Sequence, residues 1–206
     1  MKKYYLIIFA LFALNCAPKV FKTKWTKEVA PDSYTARFET TKGKFDIKIT
    51  RKLSPKAADR FYQFVKYRYF DQGIFYRVNP GFVAQFGSSD TLRYRKWDAI
   101  KLPDELVVQG NTKGTLSFGR GGKETRATEL FINLEDNIRL DTIDYAGVKG
   151  FPTFGIVTNG MDVVESLYSG YADTTMDTLD LMYLNRVEFL KRFPRLDGIE
   201  KAYILH

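Results

Sequence analysis

The fold is decided by the stretch Phe75-Tyr76-Arg77-Val78-Asn79-Pro80-Gly81-Phe82-Val83-Ala84-Gln85-Phe86-Gly87-Ser88. Within it, Arg77 and Gln85 stand among apolar and aromatic side chains, and Asn79-Pro80-Gly81 predicts a turn between two short strands. A guanidinium keeps its charge and must find an acceptor. Two interpretations fit this pattern. The arginine is either a polar group that binds a ligand inside an apolar groove, or it belongs to an ordinary barrel strand and reaches solvent from the edge.

Strand alternation predicts which side chains of this stretch share a face. Phe75, Arg77 and Asn79 should point one way, and Tyr76 and Val78 the other. After the turn, Val83 and Gln85 should share a face.

The rest of the chain shows many short strands and few helices. A β-hairpin is predicted from the alternation around Lys42-Gly43, and a helix from Ser54-Pro55 to near Tyr69. Residues 88–113 are predicted to be a long connection. Further strands are predicted at Thr115–Phe118, Leu130–Asn133, Phe151–Val157 and Ala202–Leu205, and helices at Met161–Tyr168 and Leu179–Arg192. Without a βαβ rhythm, this order indicates a mainly β, closed and mostly antiparallel barrel.

The quoted stretch resembles the signature of the cyclophilins, the peptidyl-prolyl cis/trans isomerases. The resemblance continues in Gly114–Gly119, Glu129–Ile132, Asn137–Asp141 and Phe154–Val164, in the same order as in the family. It covers roughly residues 34–168. It implies an eight-stranded antiparallel barrel capped by two helices, with residues 170–206 as a C-terminal helical extension.

The resemblance also implies an active site without a cofactor. Arg77, Gln85 and Phe82 would be the catalytic residues. The substrate-binding residues would be Val83, Gly119, Glu129, Phe131, Leu140 and Phe151. The substrates would be proline-containing polypeptides, bound by a monomer.

Several positions depart from the family pattern. Tyr76 replaces a usual His, Ser88 an Asp, Arg139 a Trp found in many eukaryotic members, and Phe151 a His. Glu129 replaces a Gln that lies close to the arginine in the family site. An ion pair between Glu129 and Arg77 would either hold the guanidinium in place or draw it away from the substrate.

The N-terminus carries the features of an export signal. Lys2 and Lys3 precede an apolar run from Tyr4 to Leu14, which is too short for a transmembrane helix. Cys16 is the only cysteine of the chain, so no intramolecular disulfide can form. Its place resembles that of the lipidated cysteine of bacterial lipoproteins.

These features predict the domain organisation and location. We expect a signal peptide at residues 1–16 with lipidation at Cys16, a tether at residues 17–32 and a cyclophilin-like domain at residues 33–206. The protein would be lipid-anchored in the bacterial cell envelope and face the periplasm.

Composition excludes several other functions. The sequence of 206 residues has 32 Lys and Arg against 24 Asp and Glu, but the basic residues are scattered, which argues against a nucleic-acid partner. His206 is the only histidine, so histidine-based acid–base chemistry and a metal site are not expected. The favoured function is a prolyl isomerase that assists the folding of exported proteins. The alternative is a catalytically weak chaperone or scaffold that binds proline-containing segments.

Overall fold

The computed structural model describes residues 21–87 and 91–205. The strands in these ranges are β1 Ser33–Thr40, β2 Gly43–Thr50, β3 Gly73–Val78, β4 Val83–Gly87, β5 Thr115–Phe118, β6 Leu130–Asn133, β7 Asp144–Tyr145, β8 Val148–Lys149, β9 Thr153–Asn159 and β10 Gly198–Leu205. The α-helices are α1 Pro55–Lys66, α2 Thr91–Asp98, α3 Arg139–Thr142, α4 Met161–Glu165, α5 Leu179–Leu184 and α6 Arg186–Arg192. Short 3₁₀ helices span Thr23–Lys27, Arg51–Leu53 and Thr174–Thr178.

Eight of these strands close into the predicted barrel. The order around it is β1-β10-β3-β4-β6-β5-β9-β2, and neighbouring strands run antiparallel. β7 and β8 form a separate small hairpin. A small barrel is filled by its own side chains, and here they are mainly phenylalanines with no exposed surface: Phe38, Phe45, Phe75, Phe86, Phe118 and Phe154.

The helix α1 begins at the predicted proline and packs its apolar face on the barrel core. Ala57, Phe61 and Phe64 are fully buried. The carboxylate of Glu105 accepts hydrogen bonds from two backbone N–H groups of the first turn, at 2.8 and 3.3 Å. These groups have no partner within a helix, so the distant carboxylate stabilises the start of α1. The helix ends at Lys66, earlier than predicted.

The predicted tether is partly folded onto the domain. The indole of Trp25 stacks on the ring of Tyr67 with 4.0 Å between ring centres, and Trp25 is only 8% exposed. Phe21 contacts Trp97 edge-on at 5.0 Å. Burying two aromatic side chains favours docking over an extended linker, so residues 21–32 belong to the folded unit, contrary to the predicted boundary at residue 33. Residues 1–20, including Cys16, lie outside the described residues.

Two helices differ from the sequence prediction. The predicted connection contains α2, whose charged surface shows no apolar stripe and which is anchored by the buried Trp97. The predicted final helix is divided into α5 and α6 at Asn185, whose side-chain oxygen accepts a hydrogen bond from the backbone N–H of Glu188 at 3.2 Å and so caps α6. The helix that starts at Met161 ends at Glu165.

The C-terminal segment 171–193 packs on the outside of β3. Met182, Phe189 and Phe193 bury themselves against Ile74 and Tyr76 in a second apolar cluster, separate from the barrel core. The chain then returns as β10, which pairs with β1 on one side and β3 on the other. In residues 21–87 and 91–205, no helix is long and apolar enough to cross a bilayer.

Candidate functional site

An irregularity in β3 places Arg77 at the site. The register of β3 against β4 shifts between Phe75 and Arg77, as in a β-bulge. Phe75 and Val78 therefore both belong to the barrel core, while Tyr76 packs on the C-terminal segment. The predicted regular alternation is wrong at this point, because the shift adds one residue between the two core positions.

Arg77, Gln85 and Phe131 form a row across three neighbouring strands. Arg77 pairs with Gln85 between β3 and β4, and Gln85 pairs with Phe131 between β4 and β6. This row forms one side of a cavity of about 310 Å³. The cavity is lined by Arg77, Phe82, Val83, Gln85, Gly119, Arg120, Phe131, Arg139, Leu140, Ile143, Tyr145, Phe151 and Met176.

The cavity has an apolar floor that is distinct from the barrel core. Val83, Phe131 and Leu140 are buried together, with Phe82 and Phe151 packed against them. The rings of Phe131 and Phe151 meet edge-on at 5.9 Å. Such a concave apolar surface beside a few polar groups is typical of a binding site.

Buried side-chain amides connect the loops that carry this apolar floor. The Nδ2 group of Asn137 donates to the carbonyl of Phe82 at 2.9 Å and to Oδ1 of Asn133 at 2.8 Å. The Nδ2 group of Asn111 donates to Oδ1 of Asp141 and to the carbonyl of Phe151, both at 2.8 Å. Because the network is satisfied inside the protein, it fixes the loops that carry the floor.

Two acceptors hold the guanidinium of Arg77. Its Nη1 group donates to Oε1 of Gln85 at 2.9 Å, and its Nε group donates to Oδ1 of Asp173 at 2.6 Å. Its Nη2 group makes no hydrogen bond with the described residues. The guanidinium carbon also lies 5.3 Å from the centre of the Phe82 ring.

Asp173 and Met176 bring the C-terminal segment to the cavity. Met176 lines it, and the side chain of Asp173 remains 61% exposed while that of Arg77 is 17% exposed. Neither residue was singled out by the sequence, because both lie beyond the stretch that resembles the family. An acidic residue in a polar segment carries no periodic or motif signal of its own.

Glu129 is not among the residues that line this cavity, and no hydrogen bond or ion pair between described residues joins it to Arg77. Its Oε1 atom accepts a hydrogen bond from the hydroxyl of Tyr183 on α5, and its Oε2 atom is buried without a hydrogen-bond partner among the described residues. Burial raises the pKa of Glu129, against the opposing effect of the Tyr183 and Tyr76 hydroxyls. The ion pair between Glu129 and Arg77 that the sequence suggested is therefore not formed: the carboxylate of Glu129 joins the barrel to the C-terminal segment instead.

Gly87 makes room for this carboxylate. A Cβ atom at residue 87 would lie 2.9 Å from both carboxylate oxygens of Glu129. A side chain there would displace the carboxylate of Glu129, so the close approach favours glycine.

Two further arginines stand at the rim of the cavity. The guanidinium carbon of Arg120 lies 4.1 Å from the centre of the Phe151 ring, and that of Arg139 lies 4.7 Å from the centre of the Phe82 ring. Burial lowers the pKa of Arg120. Arg120 was not predicted as a site residue, and Arg139 was noted only as a departure from the family pattern.

The cavity thus brings together the predicted residues Arg77, Phe82, Val83, Gln85, Gly119, Phe131, Leu140 and Phe151. No group of three or more His, Cys, Asp or Glu residues within the described ranges is placed to hold a metal ion. A comparison with protein families matches residues 35–188 to the model described as cyclophilin type peptidyl-prolyl cis-trans isomerase/CLD. The chain belongs to this family.

Individual relatives agree with this assignment. A peptidyl-prolyl cis-trans isomerase of Acinetobacter baylyi is 33% identical over 131 residues, which is 63% of this chain and 69% of that protein. Peptidyl-prolyl cis-trans isomerase B of Escherichia coli is 30% identical over 138 residues, which is 63% of this chain and 81% of that protein. The chain is accordingly a peptidyl-prolyl cis–trans isomerase.

Solved structures show the same fold. A cyclophilin type peptidyl-prolyl cis-trans isomerase of Cryptosporidium parvum superposes with a TM-score of 0.62 at 19% identity, covering 84% of this chain and 98% of that one. The same protein solved in the presence of the dipeptide Ala-Pro gives a TM-score of 0.61 at 18% identity, covering 84% of this chain and 99% of that one.

Proposed function

We propose that Arg77 catalyses the isomerisation as a hydrogen-bond donor to the prolyl nitrogen. Amide resonance sets a barrier of about 18–20 kcal/mol for the rotation. In the twisted state the nitrogen lone pair is released from resonance and can accept a hydrogen bond. A donor that meets it only in that state lowers the barrier without a nucleophile, a metal ion or a proton transfer.

The observation that supports this proposal is the way Arg77 is held beside an apolar floor. Gln85 and Asp173 fix the guanidinium from two sides, while its Nη2 group makes no hydrogen bond with the described residues. A donor that is oriented in advance needs no reorganisation during the reaction. The proline ring would lie on Val83, Phe131 and Leu140, which are buried together.

The remaining predicted residues have supporting parts in this proposal. Gln85 orients Arg77 through the 2.9 Å hydrogen bond and presents its amide to the substrate backbone. Gly119 borders the cavity without a side chain and leaves space for the peptide. Phe82 and Phe151 close the apolar floor at its edges.

The test is the exchange rate of an Ala-Pro peptide measured by NMR, with wild-type protein and with Arg77→Lys. Lysine keeps the positive charge but lacks the planar fork that reaches two acceptors and a third partner together. We expect the wild type to accelerate exchange and Arg77→Lys to lose most of this acceleration. An Arg77→Lys protein that remains folded and equally active would overturn the donor mechanism.

The same measurement distinguishes the alternative function. A protein that binds the peptide, as seen by chemical-shift changes at the cavity residues, but leaves the exchange rate unchanged would be a proline-segment binder. In that case the chaperone or scaffold interpretation would replace the catalytic one.

We also propose that the enzyme acts on exported proteins from a lipid anchor at Cys16, on the periplasmic side of the bacterial envelope. The support is the basic start, the apolar run and the single cysteine of the N-terminal sequence. Labelled palmitate should be incorporated into the wild-type chain and not into Cys16→Ser when each is expressed in a Gram-negative bacterium. Equal labelling of both chains, or of neither, would contradict the anchor.

A further inference from the structure

We propose that this site prefers prolyl segments that carry an acidic side chain near the proline, and that Arg120 and Arg139 recognise it. The proposal rests on the proposed isomerase site and names its substrate class. It follows from the charges at the rim of the cavity, which the apolar floor alone does not explain.

The rim is positively charged. Three residues that line the cavity are arginines, and no lining residue is acidic. Arg77 is already paired with Asp173. Arg120 and Arg139 form no ion pair within the described residues.

Arg120 has donors that no described residue satisfies. Its Nη2 group donates to the carbonyl of Val148 at 2.9 Å, but its Nε and Nη1 groups are buried without a partner. Asp104 and Asp144 attract this guanidinium only from beyond ion-pair distance. Buried donors without acceptors are costly, and a carboxylate is the acceptor that matches a guanidinium fork best.

Arg139 presents a second free cation. It is exposed at the start of α3, and its guanidinium contacts the Phe82 ring without a hydrogen bond to the described residues. Phe82 and Phe151 both belong to the apolar floor. The rings therefore hold Arg139 and Arg120 beside the place where the proline would lie.

The distances suit residues next to the proline. An extended peptide advances about 3.3–3.6 Å per residue, so side chains one or two positions from a proline on the floor reach the rim. A carboxylate there meets an unpaired guanidinium, whereas a lysine meets like charges. The site should therefore discriminate by charge among substrates that share the same Xaa-Pro bond.

The experiment uses the full chain and peptides that differ by one isosteric change. Glu and Gln are compared at each of the two positions before and after the proline, and exchange NMR gives kcat/KM for each peptide. At one or more positions we expect the Glu peptide to be favoured about threefold to tenfold, less at high salt. A Lys peptide should be disfavoured at the same positions.

Variants of the chain assign the effect. In Arg120→Gln/Arg139→Gln the ratio of Glu to Gln peptides should fall to about one. Lys123→Gln removes a charge from the same loop as Arg120 without touching the cavity, and should keep the wild-type ratio. If the double variant does not fold, Arg139→Gln alone changes an exposed side chain and should lower the ratio.

The outcomes separate this inference from the isomerase site itself. If Gln peptides are isomerised but Glu peptides have no advantage at any position, the acidic preference is overturned and the isomerase stands. If the advantage persists unchanged in the variants, Arg120 and Arg139 are not its source and the inference fails. If no peptide is isomerised, both proposals fall.

Discussion

The two supports of Arg77 come from regions of the molecule that are built differently. Gln85 lies on β4, where the backbone ladder with β3 sets its distance from Arg77. Asp173 lies in the C-terminal segment, which contacts the barrel through side chains instead of strand pairing. The hydrogen bond from Arg77 to Gln85 forms with the barrel itself, whereas the one to Asp173 forms only when the C-terminal segment packs on the barrel.

The two regions also differ in the interactions that hold them in place. On the barrel side, the amides of Asn111, Asn133 and Asn137 connect the loops of the cavity in one buried network. On the other side, α5 is held by apolar packing and by the hydroxyl of Tyr183 on Glu129. Loss of the amide network should therefore act mainly on the free energy of unfolding, whereas loss of the Asp173 side chain should act mainly on the catalytic rate.

The largest expected effect is at Arg77, which both regions hold by a hydrogen bond. Arg77→Ala should lower kcat/KM about 10²–10³-fold, since a lost donor in a preorganised site costs about 2.7–4 kcal/mol. The measurement is peptide exchange NMR, with circular dichroism as the control for folding. A folded Arg77→Ala protein with unchanged kcat/KM would contradict the assignment of Arg77.

The next effect tests the barrel side through its amide network. Asn111→Ala should lower the free energy of unfolding by about 2–3 kcal/mol, because the fully buried side chain of Asn111 donates to the carbonyl of Phe151 and accepts from Asn133, and both groups lose this partner. Urea unfolding measures this. As the control, Asn185→Ala removes only a helix cap in the C-terminal segment and should cost about 1 kcal/mol. Equal losses would contradict the stronger coupling of the barrel side.

A smaller effect is expected from the docked support. Asp173→Asn should lower kcat/KM about twofold to fivefold, as expected for an ion pair whose carboxylate is largely exposed, and Asp173→Glu should recover part of it. Asp177→Asn changes an exposed carboxylate of the same segment and should be neutral. In an Arg77→Ala background, Asp173→Asn should have no further effect. An equal loss in that background would show that Asp173 acts through something other than Arg77.

The smallest effect concerns how the C-terminal segment stays docked. Because the folded-state pKa of Glu129 is raised above its usual value of 4.5, its contribution to stability is fully present below pH 4.5 and is lost as the pH rises through the folded-state pKa. Glu129→Gln lacks this titration. The stability of the variant relative to wild type should therefore increase from pH 4.5 to pH 7.5 in urea unfolding. A difference that stays constant would contradict the buried, titrating carboxylate.

The barrel and most of the cavity could be predicted from the sequence. Val83 and Gln85 do share a face, as the alternation predicted, because β4 is regular. The position of Val78 on the same side as Phe75 could not be predicted, since a register shift depends on pairing with the neighbouring strand and leaves no mark on the periodicity of β3 itself.

The C-terminal side was less predictable for a physical reason. Asp173 and Met176 reach the cavity only because α5 and α6 dock on β3, and docking depends on packing between distant residues. The family resemblance placed Glu129 near Arg77, but the hydroxyl of Tyr183, far along the chain, gives that carboxylate another partner. The resemblance placed most of the cavity residues between residues 34 and 168 correctly, on strands and loops alike, whereas Asp173 and Met176 lie outside it and reach the site only by docking.

The position of β10 has a consequence for how this enzyme reaches its own folded state. β10 pairs with β1 and β3, so residues near the two ends of the described chain must meet before the barrel closes. Until then, β1 and β3 expose unpaired edges that can join other chains. Such long-range pairing is slow because the intervening chain must be ordered first. The unfinished barrel is therefore an aggregation-prone species until β10 is in place.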